Sequence, residues 1–172
     1  MNYATIKPRD IANGPGVRVS LFVSGCTHHC PGCFNAEAWD FDYGQPFDSA
    51  VMDEMLALLA PDYVKGLSLL GGEPFEPQNQ RVLVELLRKM RECYPKKTVW
   101  CYSGYTYEEL IGGSRARCEV TDEILSLIDV LVDGEFVLEQ KNISLRFRGS
   151  ENQRIIDLPR TREQGTIVLW EG

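Results

Sequence analysis

Short apolar runs alternate with amphipathic helical stretches along most of this chain, and that alternation constrains the fold more than any other feature. Val17 to Val23 is β-branched and aromatic, which reads as a buried strand ending at Ser24-Gly25. Asp48 and Ser49 can cap a helix through Ala60, because Val51, Met55, Leu58 and Leu59 share one helical stripe and Pro61 stops the run. Gly66 to Leu70 is a second strand, broken at Gly71-Gly72. Leu83, Leu86, Leu87 and Met90 keep the spacing of an amphipathic helix that ends near Tyr94-Pro95. Thr98 to Tyr102 makes a third strand, Tyr107 to Ile111 a short helix, Thr121 caps a further helix to Ile128, and Val130 to Val132 is a fourth strand. Strands alternating with helices imply right-handed βαβ units and a mostly parallel sheet. Four strands, with Leu145 to Phe147 or Ile167 to Leu169 as a fifth, are too few for a closed eightfold barrel. The expected fold is α/β, an open partial (β/α) barrel.

In parallel α/β architectures the chemistry sits at the carboxyl ends of the strands, where Cys26, Gly72, Ser103 and Asp133 all fall. A chain of 172 residues, 44% of them hydrophobic, buries one substantial core and is read as a single domain. The formal charge of −7 opposes the basic footprint of phosphate-backbone binding, so no nucleic-acid partner is expected. There is no leader-like segment at the start and no run of about 18–20 apolar residues, so the expectation is a cytoplasmic protein with no membrane partner.

Six cysteines are too few for a disulfide-built domain, and three lie within eight positions: Cys26, Cys30 and Cys33, in a C-x3-C-x2-C spacing. Pro31 and Gly32 prevent a regular helix there, leaving a loop able to wrap a metal cluster. Iron–sulfur clusters are normally held by four thiolates, so a compact trio leaves one iron open for chemistry. Two alternatives stand beside this reading. One is a zinc site completed by His28, His29 or a distant cysteine, and the other is an electron-transfer cluster completed by Cys93, Cys101 or Cys118. The ordinary reading of those last three is as core or surface residues, and of the two histidines as solvated loop residues. Gly71-Gly72-Glu73-Pro74, directly after the second strand, weighs in favour of the open site. Its glycines let backbone approach a ligand, and Glu73 with nearby carbonyls offers acceptors for an ammonium group.

The cysteine trio after the first strand and Gly-Gly-Glu after the second resemble the radical S-adenosylmethionine (SAM) superfamily. The resemblance implies one [4Fe-4S] cluster on Cys26, Cys30 and Cys33, with SAM chelating the fourth iron through its amino and carboxylate groups. It implies that Gly71, Gly72 and Glu73 hold the methionine ammonium, and that an electron from the cluster cleaves the sulfonium to give a 5′-deoxyadenosyl radical. On this basis a side chain at position 72 should crowd the methionine end of SAM and leave the cluster loop untouched. Asn13-Gly14-Pro15-Gly16-Val17-Arg18, Phe22-x-x-Gly25-Cys26 and Cys33-Phe34-Asn35 are similar to the opening signature of glycyl-radical-enzyme activases.

Pro31-Gly32, Tyr102-Ser103-Gly104-Tyr105, Val132 to Phe136 and Phe147 to Ser150 resemble the branch of that group that serves anaerobic ribonucleoside-triphosphate reductase. The implied partners are the reductase large subunit, with its glycyl-radical loop, and a low-potential electron donor such as flavodoxin. An activase of another glycyl-radical enzyme is the alternative, although pyruvate formate-lyase activases have Asp where this chain has Asn13. The resemblance covers residues 1–156 as one activase domain, and leaves 157–172 as an extension of unknown role. Many relatives place an aromatic residue before the third cysteine. Here that residue is Gly32, and Phe34 beside Cys33 is expected either to take over adenine packing or to belong to the core. Ser103 and Asp133 complete the expected SAM contacts. Arg18 and Arg148 stay outside the core site as candidates for SAM or partner contact, and Tyr102, Tyr105, Tyr107 and Phe136 are read as packing.

Overall fold

A computed structural model describes residues 1–172 and orders the chain as seven strands and five α-helices in one sheet-based unit. The strands are β1 (Asn2–Asp10), β2 (Val17–Val23), β3 (Gln45–Pro46), β4 (Val64–Gly71), β5 (Thr98–Ser103), β6 (Val130–Asp133) and β7 (Arg154–Asp157). The helices are α1 (Ser49–Leu59), α2 (Pro77–Cys93), α3 (Tyr107–Ile111), α4 (Thr121–Leu127) and α5 (Leu158–Gln164). Local chemistry sets several of their ends. Asp48 caps α1 by accepting from Val51 N at 2.9 Å. Thr106 and Glu109 form a reciprocal capping box at α3, satisfying two otherwise orphaned donors. Pro77 stands in the first turn of α2, where its missing N–H costs nothing. Thr121 begins α4, but its hydroxyl accepts from Cys118 N and donates to Gln80 Oε1, and Val120 occupies the cap position.

The four strands expected from periodicity, β2, β4, β5 and β6, pair in parallel and in that order at the centre of the sheet. The flanks correct the expectation of a mostly parallel sheet. β1 pairs antiparallel with β2, β3 with β1, and β7 with β6. The full order is β3-β1-β2-β4-β5-β6-β7, an open mixed sheet whose end strands do not meet. β1 escaped the sequence reading because its residues are mostly half-buried or exposed, and Pro8 falls in a register shift between Lys7 and Asp10. Neither suggested fifth strand forms. Leu169 makes only a single antiparallel bridge to Ile156, and Phe147 adopts a left-handed turn conformation with φ 64°.

The two faces of the sheet differ in kind. Val19, Leu21, Val23, Leu67, Leu69, Val99, Cys101 and Leu131 alternate toward one face and join residues of all five helices in a single apolar core. The opposite face carries Arg18, Ser20, Ser68, Trp100 and Tyr102, with no helix packed on it. It is covered by the segment after β6 and by the C-terminal residues. Trp170 stands edge-on to Trp100 at 4.9 Å, and its backbone N–H bonds to Ile155 O at 2.8 Å. The uncovered part of this face, at the carboxyl ends of the parallel strands, is where the cavity lies.

Arg18 closes the opposite, amino-terminal end. It is fully buried and donates to Ser68 Oγ, Thr98 Oγ1, Pro15 O, Leu67 O and Thr98 O. Burial pulls its pKa down to about 10. Arg18 is therefore a structural fastener at the far end of the strands from Cys26. Arg148 likewise donates to the carbonyls of Glu151 and Gln153 and holds its own turn together.

Candidate functional site

The cluster loop starts where β2 ends, and its first half is tied down from several directions. Gly25 N donates to Ala38 O at 2.7 Å and Cys26 N to Trp39 O at 3.1 Å. Thr27 donates through both its backbone N (2.9 Å) and its hydroxyl (2.7 Å) to Glu76 Oε1. The second half has fewer ties. Cys33 N donates to Cys30 O at 3.1 Å, and the His29 ring stacks on Trp39 at 4.4 Å. All six cysteines are free thiols. Cys26, Cys30 and Cys33 line one cavity together with Phe34, which follows Cys33, and with Gly71, Gly72, Glu73, Ser103, Gly104, Gly134 and Phe136, whereas Gly32 does not line it. Burial pushes the Cys26 thiol up to about 12 and also raises Cys30. Both would surrender protons on binding metal.

The remaining cysteines stand elsewhere. Cys101 is buried in the apolar core, Cys93 is exposed at the end of α2, and Cys118 contacts Gln80. No three His, Cys, Asp or Glu side chains converge on a single point as one metal ion requires. A zinc ion holds all its ligands at about 2.0–2.3 Å from one centre. In a cluster each thiolate binds a different iron, so the ligands stand further apart. Cys26, Cys30 and Cys33 share one cavity, and thiolates are the usual ligands of an iron–sulfur cluster.

The turn after β4 carries the second set of residues. Gly72 N donates to Val23 O at 2.8 Å and Glu73 N to Gly25 O at 2.7 Å, which lays this turn directly against the base of the cluster loop. A Cβ at Gly72 would stand 2.6 Å from Gly25 O and 2.8 Å from Ala38 O. The crowding thus falls on the cluster loop's own foundation, which corrects the expectation that a side chain at 72 leaves that loop untouched. Glu73 is 1% exposed. Its Oε1 accepts from His28 Nε2 (2.8 Å) and Gly104 N (2.7 Å), and its Oε2 from Phe75 N and Ser103 Oγ (both 2.9 Å). A carboxylate has about four acceptor sites, and here the chain's own donors take all of them. An ammonium group at this carboxylate replaces a donor rather than filling a gap.

Ser103 both lines the cavity and donates its hydroxyl to Glu73. Asp133 does not line the cavity. Its carboxylate takes Arg154 on both oxygens and accepts from Tyr107 N, forming a buried tie between β6, β7 and α3, while Arg154 also pairs with Glu108. Phe34 lies at the cavity mouth but is 90% exposed, so it packs on nothing within the chain. Gly32 adjoins Leu138.

Sequence reasoning took His28 for a solvated loop residue or a zinc ligand and passed over Glu76. The His28 side chain is 5% exposed, bonds Glu73 through Nε2 and Glu135 through Nδ1 (2.8 Å each), and lies edge-on to Tyr105 at 4.4 Å. Burial alone would lower its pKa, but the two carboxylates outweigh burial and raise it. No local pattern distinguishes such a histidine from a solvated one. For Glu76 the only signal was its position three residues after Glu73 at the start of a helix.

An open α/β sheet with three free thiols and a Gly-Gly-Glu turn around one cavity defines an iron–sulfur domain of the single-cluster kind, and residues 12–156 match the family model described as 4Fe-4S single cluster domain. The chain is similar over most of its length to proteins named anaerobic ribonucleoside-triphosphate reductase-activating protein. The relative from Escherichia coli K12 is 45% identical over 155 residues, covering 89% of this chain and 96% of the relative. That from Pasteurella multocida is 43% identical over 157 residues, 90% and 96% of the two chains. That from Salmonella typhimurium is 43% identical over 155 residues, 89% and 96%. The chain belongs to this family of activating proteins. No helix is long and apolar enough to cross a membrane.

Proposed function

We propose that this protein is a radical SAM enzyme that activates an anaerobic ribonucleoside-triphosphate reductase by generating a glycyl radical on its large subunit. The observation that carries the reading is the meeting of Cys26, Cys30 and Cys33 with the Gly71-Gly72-Glu73 turn in one cavity at the carboxyl ends of the parallel strands. Three thiols in one cavity, beside a Gly-Gly-Glu turn that lines the same cavity, suit a [4Fe-4S] cluster with one open iron. The names of the relatives support the reductase as target. Once bound, the reduced cluster would supply an electron to the sulfonium of SAM, and the adenosyl group of SAM would supply the radical carbon that abstracts hydrogen.

The chain's own residues bind, orient and exclude. Cys26, Cys30 and Cys33 hold the cluster, and the Gly71-Gly72 backbone with Glu73 faces the methionine end. Ser103 and Gly104 hold the Glu73 carboxylate in place. Leu70, Tyr102, Val132 and Phe136 give the inner cavity an apolar wall that limits water. The cavity is open on one side, as a partner's extended glycine loop would require. Small molecules generally need more enclosure. A low-potential donor such as flavodoxin would supply the electron, and the site's location in the cytoplasm belongs to the same reading.

The test is anaerobic. Reduced, cluster-loaded protein mixed with SAM and the reductase should give 5′-deoxyadenosine and a glycyl radical doublet in the electron paramagnetic resonance spectrum. A Gly→Ala change at the reductase's radical site should abolish the doublet. SAM cleavage without a radical on the reductase, or far better activation of another glycyl-radical enzyme, would overturn the choice of partner.

A further inference from the structure

We infer that His28 is a positioning residue that sets the register of the cluster loop against the Glu73 turn. The inference rests on the reading of Cys26, Cys30 and Cys33 as cluster ligands facing that turn. Glu73 is the hub of the site, since its buried carboxylate receives donors from its own turn (Phe75 N), from the end of β5 (Ser103, Gly104) and from the cluster loop. The single donor from the cluster loop is His28. It lies between Cys26, whose backbone is anchored to Trp39 O, and Cys30, which opens the weakly tied half of the loop.

The imidazole is also held from the other side. Its Nδ1 meets Glu135 on the segment after β6, and its ring rests so close to Gly104 that a Cβ there would stand 2.6 Å from it. One side chain thus links the thiol-bearing loop to the carboxyl ends of β4, β5 and β6. A ligand that must touch both an open iron and the Glu73 turn needs a fixed separation between them. A misplacement near 1 Å in such a constellation can cost about a hundredfold in rate. Nothing else in the loop between Cys26 and Cys30 provides this tie, because Thr27 bonds Glu76 rather than Glu73.

The experiment compares wild-type protein with His28→Ala, His28→Gln and His28→Phe. Metal-free chains are followed by amide hydrogen exchange, and anaerobically reconstituted chains by iron and sulfide content, SAM affinity, and the SAM-induced change in the spectrum of the reduced cluster. His28→Ala should speed exchange in residues 27–34 at least tenfold, keep iron and sulfide at wild-type stoichiometry, weaken SAM binding tenfold or more, and blunt the spectral change. His28→Gln can still donate to Glu73 and should recover most of the affinity, whereas His28→Phe keeps the contact with Tyr105 but donates nothing and should not. Unchanged exchange and SAM affinity in His28→Ala would overturn the inference. So would rescue by Phe as good as by Gln, which would reduce His28 to packing, or loss of iron from a folded His28→Ala chain, which would make it a cluster-retention residue. Failure of the wild-type protein to bind SAM would sink the enzymatic reading instead, and the exchange measurement would still decide whether His28 holds the loop.

Discussion

The side-chain amide of Asn13 donates to the Asp10 carboxylate across 2.7 Å, while its backbone carbonyl accepts from Ser68 Oγ. This pair closes the turn between β1 and β2 and explains why an amide, rather than an acid, stands at position 13. An aspartate there would set two carboxylates at hydrogen-bond distance. Asn13→Asp should therefore destabilise the fold by about 2 kcal/mol at neutral pH, from a lost bond and a like-charge contact. The deficit should shrink as the solution is acidified and one carboxyl takes a proton. Urea midpoints of the two proteins at pH 7 and pH 4.5 check both statements, and an equal deficit at the two pH values would contradict the like-charge account.

Asp10 itself predicts an acid limb. Its burial works to raise the carboxyl pKa, but hydrogen bonds from Ser20 Oγ, Ala12 N and Asn13 prevail and hold it below the ordinary value. A carboxyl depressed in the folded state stabilises the fold above its unfolded pKa, near 3.9, and loses that contribution as pH falls through the lower folded value. Asp10→Asn should start less stable at pH 7 and lose less between pH 5 and pH 2. Thermal midpoints across that range should converge toward acid, and parallel curves would remove Asp10 from the acid limb.

The thiols should divide into two sets. Cys26→Ala, Cys30→Ala and Cys33→Ala should each lose most iron after anaerobic reconstitution, because two thiolates remain on a site that already has an open position. Cys93→Ala, Cys101→Ala and Cys118→Ala should keep iron and sulfide at wild-type levels, since none of them lines the cavity. Abolished iron binding in a folded member of the second set would mean that a fourth cysteine completes the cluster.

Gly72→Val should harm the cluster loop as well as ligand binding. The added carbon meets the carbonyl oxygens of Gly25 and Ala38, and the 2.7 Å bond from Gly25 N to Ala38 O lies directly before Cys26. Overpacking of this kind costs about 1–3 kcal/mol. Iron content per folded chain should fall together with the urea midpoint. A wild-type midpoint with full iron, and weaker SAM binding alone, would show that the loop base yields without strain.

Much of the centre of this protein was legible because it is written locally. The β-branched run of β2, the cap at Asp48 and the tight C-x3-C-x2-C spacing are each decided by residues within a few positions of one another, so composition and periodicity carry them. The same holds for the placement of Cys26, Gly72 and Ser103 at strand ends, which follows from parallel alternation. Beyond that, the sequence determined only which residue types were present. Tertiary structure decided that β1 and β7 flank the sheet antiparallel, since an edge strand's half-exposed pattern gains meaning only from its neighbour. It turned Asp133 away from the cavity toward Arg154, 21 positions on, left Phe34 exposed at the mouth, and drew Trp170 across the sheet to Trp100. It also made His28 a buried link, through Glu73 at a separation of 45 residues and Glu135 at 107. Such contacts have no local signature, because the imidazole is held by two carboxylates, buried Glu73 and exposed Glu135, that only the completed fold brings together.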